Sequence, residues 1–234
     1  MKTDVCAMLW KESQEFRHQF QSRISTFAVI MALTSIVFPI IIVQDALAAG
    51  LAKMMLDVCI IMGTVFYGLM QSEASFYEER NNGVLQYLLS TSLSPFGIFC
   101  GKWLWMLSLC LIFSMIAYPV QFLVIDVYCG KSLEFTVQDL LWSGLMMLFS
   151  LSLCSLVISV NAAMSLWVVN TQAGRLMTIV AGYSPLLIAL AYNRLLAIPF
   201  DSSMIVAVGV TSVFLSILVA IVGSLLFRRQ QPVI

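Results

Sequence analysis

Apolar runs of about 20 residues recur along this chain, and they constrain its fold class before any motif is read. They lie at roughly 25–43, 54–71, 103–125, 140–160, 176–192 and 204–227, with shorter polar stretches between them. At 1.5 Å per residue, such runs are of the length needed to cross ~30 Å of hydrocarbon as helices. Leu, Ile, Met and Phe fill them without the alternation of a transmembrane barrel, whose segments are ~10 residues long. Only structures that satisfy their own backbone polar groups cross lipid, which leaves a helical bundle. The composition agrees, with 61% hydrophobic and 10% charged residues and a mean hydropathy of +0.97; a soluble domain carries about a quarter charged residues.

The expected fold is therefore an all-α integral membrane protein with six transmembrane helices in one domain over 25–227. An interfacial amphipathic helix over 1–24 precedes it and a tail over 228–234 follows. The first 23 residues are polar and charged, with no short apolar core ahead of a small-residue cleavage site. The first apolar run is thus expected to stay as an anchor. Of the twelve Lys and Arg residues, nine fall on the side of the termini and three (Lys53, Lys131, Arg194) on the other. That asymmetry places both termini, and the polar stretch 73–102, in the cytoplasm.

In the N-terminal segment, Val5, Met8, Leu9, Phe16 and Phe20 project to one side and Lys11, Glu15, His18 and Ser22 to the other. Glu12 interrupts the apolar arc. Arg17 and Arg23 suit anionic lipid headgroups. His18, the lone histidine, is read as a solvated face residue with no chemistry. Asp57 sits one turn inside the second run and is expected to pair with Lys53 as an i,i+4 partner, although intramembrane acids are functional suspects in general. The six cysteines are scattered without a CxxC pair, so neither a metal nor a disulfide framework is expected.

The stretch from Glu73 to Lys102 is the longest polar interruption. Glu73 to Arg80 reads as a polar continuation of the second helix, with Glu73, Tyr77 and Arg80 on one face. Asn81-Asn82-Gly83 is a turn signal. Val84, Leu85, Leu88 and Leu89 make the apolar stripe of a helix too short to span. Ser94 is a good N-cap with Pro95 at the first helical position. The third helix is thus expected to begin in the cytoplasmic layer and pass Gly101 and Lys102 before entering lipid. Asn161–Arg175 reads as a moderately polar link, and 193–203 as a short loop.

No base, nucleophile and ligand cluster stands out as an active site. A P-loop is absent around Gly101-Lys102, because Phe96 stands where its first glycine belongs and Trp103 where Ser or Thr would bind Mg²⁺. Uphill transport would need an ATPase on another chain.

The run Glu79-Arg80-x-x-Gly83-x-Leu85-x-x-Leu88-Leu89-Ser90-Thr91-x-Leu93-Ser94-Pro95, ending in Gly101-Lys102, resembles the signature of type-2 ABC-transporter permeases. These are the membrane subunits of many ATP-driven exporters. Leu9-Trp10-Lys11-Glu12, leading to Phe16-Arg17 and Arg23, is similar to their amphipathic connecting helix. The six-run layout matches as well, and Ser92 stands where the family often has proline.

The resemblance implies that Glu78, Glu79, Arg80, Asn82, Gly83 and Leu85 lie at the contact with a cytoplasmic ABC ATPase subunit, on a coupling segment shaped by Ser94, Pro95, Gly101 and Lys102. It also implies a second permease subunit, identical or related, in a bacterial cell membrane. ATP and Mg would belong to the ATPase, with no cofactor on this chain. Membrane lipid is an expected partner and nucleic acid is not. The expected cargo is amphipathic: a peptide, drug-like compound, lipid or glycan. Two other readings stay open on the residues, a non-transporting immunity or sensor protein that docks a cytoplasmic partner, and an intramembrane enzyme.

Overall fold

A computed structural model describes residues 2–41, 52–129, 137–167, 176, 180 and 202–229, all helical apart from short turns. Helix α1 spans Lys2–His18. After a break at Gln19 (φ −99°, ψ 14°), α2 runs over Phe20–Ala32 and continues through a π-turn at Leu33–Val37 to Ile41. Helix α3 covers Ala52–Glu73, opens into a π-turn at Ala74–Glu78 and closes with Glu79–Asn81. The short α4 is Val84–Ser90, followed by α5 (Pro95–Cys129), α6 (Val137–Trp167) and α7 (Ser202–Arg229).

Among the described residues, four stretches are long and apolar enough to cross a membrane: Phe20–Ile41, Pro95–Val124, Leu141–Ser165 and Ile205–Val222. The second expected span lies within a helix of 22 residues, Ala52–Glu73. Of the expected fifth span at 176–192 only residues 176 and 180 are described, and 193–201, 130–136 and 230–234 lie outside the described residues. The remaining ends of the expected loops at 126–139 and 193–203 are instead helical, in α5, α6 and α7.

The expected polar link at Asn161–Arg175 is corrected over its first part, since α6 continues to Trp167. Two polar groups in that part are satisfied inside the bundle. Asn161 donates to Ser72 Oγ at 2.7 Å, and Ser165 Oγ donates to the Ala162 carbonyl at 2.7 Å.

Polar pairs also set the helix directions. Arg23 donates to Gln71 at 2.8 Å and Thr34 packs on Gly63, so α2 and α3 are antiparallel. Thr64 bonds Ser114 at 3.1 Å and Tyr118 reaches Asp57 at 3.5 Å, making α3 and α5 antiparallel. Trp142 donates to Asp57 at 2.9 Å, and Cys154 donates to the Thr64 carbonyl at 3.3 Å. With Asn161 on Ser72, these make α3 and α6 parallel. Ser155 and Ser159 meet Ser216 at 2.6 and 2.9 Å, and Ser152 faces Gly209, so α6 and α7 run parallel too. Hydroxyl pairs and small residues of this kind hold helices together where lipid removes the hydrophobic drive between them.

The main core lies where α3, α5 and α6 meet under α2. Tyr67 stacks on Phe113 at 4.9 Å between centroids, and Phe27 meets both edge-on at 5.5 and 5.3 Å. Between α6 and α7 opens an apolar cavity of about 520 Å³, lined by residues including Leu148, Phe149, Ser152, Val206 and Gly209.

Candidate functional site

The polar stretch 73–102 folds into one assembly with α1. The Asn82-Gly83 turn ends the extension of α3, and Gly83 takes φ +73°, a conformation that costs a β-carbon-bearing residue energy. The turn throws α4 back across the start of α5. Leu85 and Leu88 are buried, and Leu88 packs with Met8 of α1 and Ile98 of α5. Helix α5 begins at Pro95, and Ser94 Oγ accepts the N–H of Gly97 at 3.2 Å. That same hydroxyl donates to Asp4 Oδ2 at 2.7 Å, so one serine caps α5 and anchors α1. The bond from Ser94 holds the Asp4 carboxyl below its usual value. Gly101 sits directly against Met8, and a side chain there would displace α1.

At the centre is Lys102, with no solvent exposure at all. Its Nζ donates to Glu12 Oε1 and Glu79 Oε1, each at 2.6 Å. It also donates to Ser75 Oγ at 3.0 Å and to the Ser75 carbonyl at 3.2 Å, and lies 5.7 Å from the centroid of the Phe76 ring. Lys11 extends the cluster, reaching Glu79 and Glu15 at 2.8 Å each. Burial disfavours the Lys11 ammonium, but its bonds to Glu15 and Glu79 outweigh that, and its pKa lies above the ordinary value.

An isolated buried ion would cost several kcal/mol, so this cluster persists because each ammonium is matched by carboxylates and hydrogen bonds. Glu12, Glu15 and Glu79 bring oxygens within 4.8 Å of one another, a spacing a divalent cation could accept. Lys11 and Lys102 already stand on those oxygens. The chemistry of the donors is that of an internal salt-bridge network.

The residues expected at a partner contact divide into two sets. Glu78 and Asn82 are exposed, as are Gln86 and Tyr87 on α4, Tyr87 by 71%. Glu79 and Leu85 face inward, and Arg80 donates to the Ser165 carbonyl of α6. The Glu79 side chain is thus committed to Lys102 and Lys11. Sequence reasoning missed Gln86 and Tyr87 as surface, and Asp4, Lys11, Glu15 and Ser75 as structural partners. Glu12 alone carried a signal, as a charge on the face that Met8 buries.

Asp57 is buried, with Trp142 and Tyr118 on its carboxylate, partners that sequence spacing did not supply. The Lys53 side chain expected to pair with it lies outside what the structure describes. Compared with protein-family models, curated proteins and solved structures, the chain finds no significant match.

Proposed function

We propose that this chain is the membrane subunit of an ATP-driven exporter of the type-2 ABC kind, passing an amphipathic cargo with ATP hydrolysed by a separate subunit. The observation that carries the reading is α4. It is a helix of seven residues, held on its inner side by Leu85 and Leu88 and presenting Gln86 and Tyr87 outward beside Glu78 and Asn82. A rigid aromatic anchor ringed by polar groups is the kind of surface on which protein partners concentrate binding energy. Leu88 packs with Met8 of α1 and Ile98 of α5, so force applied to α4 reaches both helices.

Six crossings complete the proposal. The parallel run of α6 and α7 agrees with that number. The two termini then share one side, the side that the lysine and arginine count assigns to the cytoplasm. The apolar cavity between α6 and α7 suits an amphipathic cargo or a lipid chain.

The test is purification of the tagged full-length chain from its native membranes in mild detergent, with ATP hydrolysis measured on the product. Wild type is expected to bring down an ATPase subunit. Glu78→Lys with Tyr87→Ala is expected to lose that subunit at least tenfold while inserting normally. A wild-type preparation free of ATP hydrolysis, or an ATPase retained in full by the double variant, overturns the reading. The first outcome favours a non-transporting docking protein.

A further inference from the structure

The π-turn at Ala74–Glu78 and the buried lysine meet at one atom. In an α-helix the Ser75 carbonyl would accept the N–H of Glu79, four residues on. Here the turn is π, with backbone bonds reaching five residues back, and Lys102 Nζ donates to the Ser75 carbonyl at 3.2 Å. The lysine thus holds a backbone carbonyl inside the turn. Three consecutive side chains of the turn (Ser75, Phe76 and Tyr77) are buried, which an α-helix facing a single neighbour does not achieve. The same ammonium ties down Glu79, the first residue after the turn, and Glu12 of α1.

We propose that Lys102 is a conformational pin. It holds the π-turn open and clamps α1 to it, so that helix Lys2–His18 and the segment from Ala74 to Gly83 that sets the pose of α4 shift as one body. Changing a π-turn to α-helix moves the register by one residue, about 100° of rotation. That rotation would carry Glu79 away from Lys102 and swing the Gly83 turn with it. Leaving α1 in place during such a change would strand the Glu12–Lys102 pair beside a vacated carboxylate site, so the two segments are bound to move together. Asp4 on Ser94 and Met8 on Leu88 and Ile98 reinforce the coupling at the far end of α1. A force on α1 in the headgroup layer therefore reaches the exposed face of α4, and a partner on α4 reaches α1. This inference goes beyond the exporter reading and holds whatever partner binds α4.

The experiment is amide hydrogen exchange on the full-length chain in lipid nanodiscs, resolved by peptide. Lys102→Met is expected to speed exchange about tenfold in both 2–18 and 74–83, with peptides from 145–160 unchanged. Should Lys102→Met fail to insert, Glu12→Gln is read the same way. It leaves the lysine its bonds to Glu79 and Ser75, and about a threefold rise in both segments is expected. Any other pattern overturns the pin: a rise in one segment alone, in neither, or equally in every helix.

Discussion

Gly83 is the residue on which the shape of the exposed surface turns. Its φ of +73° lies in the left-handed region, and nothing stands within 4 Å of where a β-carbon would be. Gly83→Ala is therefore expected to cost roughly 1–2 kcal/mol through the backbone alone, with Gly83→Asn recovering part of it. Thermal unfolding of the detergent-solubilised protein checks this, and equal midpoints for Ala and Gly would contradict it. The position was legible, because Asn-Asn-Gly is a turn signal in any context. Glu12 was half legible. Its place on the Met8 face marked it as out of pattern, but its partner lies 90 positions away and no local rule points there. Lys102 read as a boundary cation at the mouth of a helix, when in the fold it is the most enclosed charge described.

At the scale of elements, the junction of α1 with α5 rests on Ser94, which caps one helix and anchors the other. Ser94→Ala is expected to cost about 1 kcal/mol as a lost cap and to loosen α1. The same junction carries a pH dependence. The Asp4 carboxyl is held below its usual value, so its contribution is present above about pH 3.8 and lost as pH falls through the lowered value. Protease cleavage of α1 is expected to rise over that acid range in wild type, and Ser94→Ala is expected to remove the step. An unchanged step would mean that Ser94 does not hold Asp4. The start of α5 was readable because Ser-Pro fixes a cap and a first turn locally. The end of α6 was not, since the fate of Asn161 depended on Ser72 in another helix.

For the whole molecule, helix directions and the charge asymmetry make one joint prediction. A membrane-impermeant thiol reagent applied to intact cells should label Cys129, at the far end of α5, and leave Cys6 unlabelled until the cells are opened. Cys6 is exposed on α1, so failure to react from outside would reflect sidedness rather than burial. The reverse pattern would invert the topology.

What the sequence determined by itself was everything set by short-range physics: apolar runs long enough for lipid, the turn at Gly83, the cap at Ser94 and the stripe of α4. These depend on neighbours within a turn or two, or on the solvent. Only the tertiary structure decided which charges face inward, that α6 runs parallel to both α3 and α7, and that Glu79 belongs to the interior while Tyr87 belongs to the surface. Those outcomes rest on pairings between distant residues, where a buried ion is tolerable only if its counter-charge arrives from another helix. No window on the chain contains both partners.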